Sequence, residues 1–339
     1  MVRRRFLLGA AAFGGWALVG RRAVGARARD LPAGSPPAAA LGRVALVRAT
    51  DHAQGVRAAL ELLELPPWKG RRLFVKPNCN SSDPFPGSTH PEALASLCRT
   101  LLAGGAVRLA IGDRSGMGGT RQVLEQNGVV RMAAELGADL DVFDELPAEG
   151  WMRRAVQGGH WSRGFALARP AVETDGIVQT CCLKTHRFGG HFTLSLKNSI
   201  GLVARHVPGD PHDYMRELHG SPDQRRMIAE VNVAYRPLAV VLDAIEGFAD
   251  GGPEAGRKIA LGLVLASADR VALDAVGVAV LRRHGTTPEV SRGHIFDLEQ
   301  IARGAELGLG TAGPDAIAIV TRDRGAREEA LRLEELLRS

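Results

Sequence analysis

From residue 43 onward, short apolar runs alternate with segments of helical periodicity, and four of the runs break into polar clusters at their carboxyl ends. Runs at 44–48, 72–76, 107–111, 140–143, 176–182, 238–242, 259–266 and 316–320 have the length and composition of buried strands. Between them, 52–63, 91–103, 120–126, 129–136, 222–235 and 268–283 carry helical spacing, with a shorter polar helix at 210–220. Strands joined by helix-length crossovers pair in parallel. The expectation is an α/β protein: a mostly parallel sheet flanked by helices, with its site at the carboxyl ends of the strands. Residues 145–170, with Trp151 and Trp161, are irregular and compatible with a hairpin.

The polar clusters fall where that architecture puts ligands. They are Lys76-Pro-Asn78, Gly112-Asp113, Lys184-x-His186 and Asp243-x-x-Glu246. Lysine usage sharpens the pattern. The chain has 43 basic residues, of which only five are Lys. Where a charge only has to be solvated this sequence uses Arg, so Lys76, Lys184 and Lys197 stand out. Lysine is a compact charge with a tunable pKa, suited to proton transfer or tight anion contact. Lys76 and Asn78 offer donors to a carboxylate or phosphate, although Asn78 could equally bond its own turn.

Residues 183–201 hold Lys184, His186, His191, Lys197 and Asn198 among three glycines. His191, Thr193, Ser195 and Lys197 alternate with Phe192, Leu194 and Leu196, the two-residue period of a strand with one polar face. A helical alternative puts Leu194, Ile200 and Leu202 inward. The glycine-rich loop at 112–119 is neither a Walker loop nor a dinucleotide fingerprint. Five of the ten histidines (186, 191, 206, 212, 219) lie within 34 residues that also hold Asp210, Asp213 and Glu217. They could hold a divalent metal, or face solvent and anions; no established metal spacing occurs. His212 and His219 share a face if one helix spans both. Asp243 and Glu246 could act as base or ligands opposite the lysines, or merely neutralise Lys76 or Lys184. Ser267 and Asp269 suit a helix start, whereas Asp274 lies past the first turn and is harder to explain that way.

The formal charge of +6 belongs to the amino terminus. Residues 1–28 contain six Arg and no acid, and the remainder balances. With aromatics at only 5%, this removes the support for nucleic-acid binding. Arg3-Arg4-x-Phe6-Leu7, an apolar stretch to Gly20 and small-x-small sites ending at Ala26 or Ala28 resemble a twin-arginine signal peptide. The expectation is a signal peptide over 1–28, engagement of the twin-arginine export machinery, a periplasmic or other extracytoplasmic location, and a flexible linker over 29–41. An uncleaved leader would instead tether the protein to the membrane. The four Cys (79, 98, 181, 182) include no C-x-x-C, so no iron–sulfur motif is present; a disulfide and buried thiols are both open.

Taken in order, these pieces resemble the DUF362 family, a domain of unknown function. The matching residues are Lys76-Pro-Asn78, Leu183-Lys184-Thr-His186, Thr193 to Gly201, Leu218-His219, Asp243-Ala-Ile-Glu246-Gly, Gly252-Pro253 with Gly256, and Ala266 to Asp274. The resemblance covers roughly 70–285. It implies one α/β domain, set here at 42–322 with a charged terminal helix at 323–339, and a shared polar site, but no reaction. The iron–sulfur modules fused to some relatives have no counterpart here. The leading reading is a cleft for a small anionic molecule. In it Lys184, His186, Lys197 and Asp243 are the catalytic candidates, and Lys76, Asn78, Asn198, His219 and Glu246 bind the ligand. If a metal is held, His186, His219 and Asp243 are its expected ligands. A non-catalytic binding protein and a metal- or redox-cofactor protein remain as alternatives.

Overall fold

The computed structural model describes residues 29–31 and 42–339. The expected signal peptide and most of the expected linker, residues 32–41, lie outside the described residues. The strands are β1 (Arg29–Leu31), β2 (Gly42–Arg48), β3 (Arg72–Lys76), β4 (Arg108–Asp113), β5 (Asp139–Val142), β6 (Trp151–Val156), β7 (Phe165–Ala168), β8 (Gly176–His186), β9 (His191–Thr193), β10 (Pro237–Gly251), β11 (Gly256–Ser267) and β12 (Ile317–Val320). The helices are α1 (His52–Glu61), α2 (Pro91–Ala103), α3 (Thr120–Gln126), α4 (Val129–Leu136), α5 (Arg169–Val172), α6 (Ser195–Asn198), α7 (Tyr214–Gly220), α8 (Gln224–Val231), α9 (Arg270–Arg283), α10 (Pro288–Ser291), α11 (Glu299–Glu306) and α12 (Arg324–Arg338).

A nine-stranded sheet runs β12-β2-β11-β10-β8-β3-β4-β5, with β9 added to β8. Its pairings are parallel except at β2–β11, β11–β10 and β8–β9. The fold is therefore mixed α/β with a mostly parallel sheet, as expected. A small second sheet joins β1, β6 and β7; its β6–β7 pair is the hairpin, and β1 occupies the first residues of the expected linker.

Alternation along the strands sends side chains to two cores. Ala45, Val75, Val241 and Val264 pack with Val56 and Leu60 of α1 and Leu94 and Leu97 of α2. Val44, Leu46, Leu242, Leu263 and Leu265 pack against α9, which is buried along nearly its whole length. A third cluster, including Phe74, Phe143, Trp151, Phe165 and Tyr214, joins the small sheet to the main one.

Three departures from the sequence reading bear on the site. First, β8 continues through Lys184 to His186, because β9 pairs back onto it with Lys184 opposite Thr193 and His186 opposite His191. Second, β10 does not stop at Asp243. It runs on to Gly251 in a hairpin with β11, so the acidic stretch is strand with register shifts at Ala244/Glu246 and Phe248/Asp250. Third, the strand alternation expected over 191–197 lasts only to Thr193. At Ser195 the chain turns helical, because Asp274 of α9 accepts from the backbone N–H groups of Ser195 (2.8 Å) and Leu196 (3.0 Å) and from the Ser195 hydroxyl (2.6 Å). The terminal helix α12 is charged, yet Ala326, Leu333 and Leu337 are buried in the core with α9.

Candidate functional site

Three parallel strands deliver polar residues to one point. β3 ends at Lys76, whose continuation supplies Asn78. β4 ends at Asp113, and β8 carries Lys184 and His186. β9 and the segment after it fold over them with Thr193, Lys197, Asn198 and Gly201. Together they line a cavity of about 50 Å³, closed by Asn80, Arg114, Ile200 and Pro253. Six sequence candidates thus converge: Lys76, Asn78, Lys184, His186, Lys197 and Asn198.

The floor is a fixed hydrogen-bond network. Lys76 Nζ lies 2.7 Å from Asp113 Oδ1 and donates to the Pro77 carbonyl (2.7 Å) and to Asn198 Oδ1 (3.2 Å). Asn78 Nδ2 donates to the same Asn198 oxygen (3.1 Å), and Asn198 Nδ2 donates to the Thr180 carbonyl (2.9 Å). Asp113 also accepts from the backbone N–H groups of Cys79 (2.8 Å) and Arg114 (2.7 Å). Burial pushes the Asp113 carboxyl up, and these partners oppose that shift. Lys184 Nζ donates to Asn78 Oδ1 (2.8 Å) and to the Gly87 carbonyl (2.5 Å), both neutral acceptors. Burial draws its pKa down.

Gly201 makes the floor possible. A Cβ there would stand 2.3 Å from Asp113 Oδ1 and 2.7 Å from Lys76 Nζ. Gly190 plays the same part for the roof, where a Cβ would meet Lys197 Cε at 2.5 Å and His186 Nδ1 at 3.2 Å.

The roof is unsatisfied. Among the described residues, no hydrogen bond or ion pair reaches Lys197 Nζ, although the side chain is only 8% exposed. Its ammonium is lowered to about 7 by burial and by the like charges of Lys184 and Arg114. His186 Nδ1 and Thr193 Oγ1 are buried without a partner among the described residues. Burial and the charges of Lys197 and Lys184 hold His186 well below the usual imidazole range. Arg114 spends its guanidinium on the carbonyls of Val203 (2.7 Å), Ser115 (3.0 Å) and Ile200 (3.2 Å) and on the Met215 sulfur (3.0 Å). Four basic side chains, Lys76, Arg114, Lys184 and Lys197, therefore face the cavity against the one carboxylate of Asp113. A buried excess of positive charge is costly unless an anion enters it.

Asn80, Arg114, His186, Lys197, Ile200 and Pro253 are shared with an adjoining chamber of about 510 Å³. His219 lines that chamber, as do Met117, Phe188 and Met215. Its Nδ1 bonds the Met215 carbonyl at 2.7 Å, and burial lowers its pKa. The expected ligand-binding role of His219 therefore places it a step outward from the lysines.

Asp243 and Glu246 do not line the cavity. Asp243 is buried against α1, where its Oδ2 lies 2.6 Å from His52 Nδ1. Glu246 lies beside Lys258 at 3.4 Å, half exposed. The expectation that Asp243 faces the lysines is corrected by the path of β10, which passes through that position as strand. The expected metal set of His186, His219 and Asp243 is not brought together, and among the described residues no group of three or more His, Cys, Asp or Glu is placed to hold a metal. His206 and His212 are engaged elsewhere, His212 with Glu217 at 2.8 Å and His206 with the His212 carbonyl at 3.1 Å. His212 precedes α7, so it shares no helix face with His219. All four cysteines are buried free thiols.

Sequence reasoning left Arg114 out of the site and gave Asp113 no partner. The signal for Asp113 was its position at a strand end. Arg114 carried no signal, because one Arg among 38 is unremarkable until its burial is known. Asp274, noticed but unplaced, is the residue that turns the Lys197 segment into its helix.

A family profile described as "Domain of unknown function (DUF362)" matches residues 73–279, more than half of the chain. A thylakoid-associated protein of Synechocystis is 27% identical over 218 residues. That match takes in 63% of this chain and 64% of the relative, so this chain spans less than two thirds of the relative's length. The structure of a lactate racemase apoprotein from Thermoanaerobacterium thermosaccharolyticum aligns with a TM-score of 0.42 at 16% identity, covering 72% of this chain and 58% of that one.

Proposed function

The chain belongs to the DUF362 family, and we propose that it binds and transforms a small molecule bearing a carboxylate or phosphate group. The observation that carries this reading is the buried Lys197, unpaired among the described residues, in a cavity where four basic side chains meet one carboxylate. The inner cavity is the size of an anionic head group, and the adjoining chamber takes the rest of a small ligand. His186 Nδ1 and Thr193 Oγ1, both without partners among the described residues, supply polar contacts beside it. Asp113, Asn78 and Asn198 fix Lys76 and Lys184, so the charges are preorganised before ligand arrives.

Binding is tested by titration calorimetry of the purified full chain with phosphate, sulfate and small carboxylates. Saturable binding that Lys197→Met abolishes supports the reading; binding of none of them, or binding untouched by Lys197→Met, sinks it. The twin-arginine resemblance of residues 1–28 supports an extracytoplasmic place of action. Changing Arg3 and Arg4 to Lys should then leave the protein in the cytoplasm, and unaltered export would reject that route.

A further inference from the structure

We propose that Lys197 is an imine-forming lysine and that the ligand class is a small 2-oxo acid, whose carbonyl carbon is captured by Lys197 Nζ while its carboxylate rests among the neighbouring cations. This deepens the anion-site reading and rests on it.

The geometry separates Lys197 from the other two site lysines. Lys76 is tied to a carboxylate, a carbonyl and an amide, and Lys184 to a carbonyl and an amide. Lys197 has a head group free of partners among the described residues, at the boundary of the inner cavity and the adjoining chamber, since it lines both. Of the three site lysines, Lys197 alone lines the chamber. Neighbouring cations and a desolvated setting are the two conditions that leave a lysine uncharged and nucleophilic near neutral pH, and both act here. The same cations that disfavour the ammonium favour a carboxylate one bond from the reacting carbon. A 2-oxo acid satisfies both demands at once, because its carbonyl and carboxylate are adjacent.

The step balances within the site. The neutral amine of Lys197 adds to the carbonyl carbon, and the carbonyl oxygen becomes a hydroxyl. Loss of that hydroxyl as water, with the two amine protons accounted for in the water formed, leaves the imine and needs no external oxidant or reductant. His186 Nδ1 is the adjacent ring nitrogen for relaying the proton from amine to oxygen without retaining it: it has no partner among the described residues, and it and Lys197 Cε both lie within 3.2 Å of the point a Gly190 side chain would fill. Thr193 Oγ1, also unpartnered, is available to the departing water.

The full-length protein is incubated separately with glyoxylate, pyruvate and acetaldehyde in the presence of cyanoborohydride, digested and mapped by mass spectrometry. The reduced adduct is expected on the peptide containing Lys197 with the two oxo acids. Labelling of the exposed Lys258 and of Lys69 serves as background, and Lys197→Arg should remove the site-specific adduct. No adduct, or an adduct no greater than that at Lys258, overturns the proposal. Equal labelling of Lys197 by acetaldehyde overturns the assigned ligand class. If calorimetry shows oxo-acid binding that Lys197→Met abolishes but no adduct forms, the imine fails while the anion site stands; if neither is seen, both fail.

Discussion

Lys76 Nζ stands 2.7 Å from Asp113 Oδ1, and both side chains are sealed from solvent. Each is the last residue of its strand, β3 or β4. The adjacent parallel strands thus set an ion pair where the sheet ends. Removing either partner strands a charge in the interior, which costs about 3–5 kcal/mol. Asp113→Ala is therefore expected to lower stability by that amount in urea unfolding. A loss under about 1 kcal/mol would show that Lys76 finds another counter-charge.

Lys197 gives a pH signature with a definite sign. Its pKa of about 7 in the folded chain lies below the roughly 10.4 of a free lysine. Between those values the unfolded chain binds more protons, so stability rises with pH across that window. Below about pH 7 the ammonium is charged in both states and the penalty is fully present. The size is on the order of 5 kcal/mol. Lys197→Met should flatten the rise between about pH 7 and 10 and stabilise the protein most at the acidic end. Parallel unfolding midpoints for the two proteins, in buffers free of phosphate and carboxylate, provide the check.

Gly190 should be more important to ligand than to fold. Alanine there would push on Lys197 Cε and Cδ, the flexible end of a side chain, and crowd His186 Nδ1 at 3.2 Å, rather than meet backbone. Gly190→Ala is expected to weaken anion binding by tenfold or more while changing stability by about 1 kcal/mol or less. Undiminished affinity in calorimetry would mean that Lys197 swings aside without cost and does not hold the ligand.

Asp243 should behave as a structural residue with respect to this cavity. Asp243→Asn weakens its 2.6 Å contact with His52, with an expected loss of about 1.5–3 kcal/mol. Anion affinity in the cavity should be unchanged. A variant that folds normally yet loses binding would return Asp243 to the site.

The strand-end location and six of the converging residues were legible in the sequence because each rests on local information. Apolar runs of strand length, helix-length crossovers and the scarcity of lysine can all be read without coordinates. The sheet then does the rest, since parallel strands place their carboxyl ends on one edge. The same local logic failed at Asp243. Nothing within 238–256 announces that β10 continues past its first polar residue, because the reason is its partner β11, which pairs with it through both register shifts.

The sequence by itself determined the α/β class, the edge on which the polar residues gather, and the choice of Lys76, Lys184 and Lys197 over the many arginines. Tertiary structure alone decided which lysine is left free. Asp113 satisfies Lys76 from the neighbouring strand, and Asn78 with the Gly87 carbonyl satisfies Lys184. Asp274, 77 residues beyond Lys197 in the chain, turns the Lys197 segment into helix by capturing Ser195 and Leu196. Partnering depends on distances across the sheet, and those are fixed only when the crossovers close.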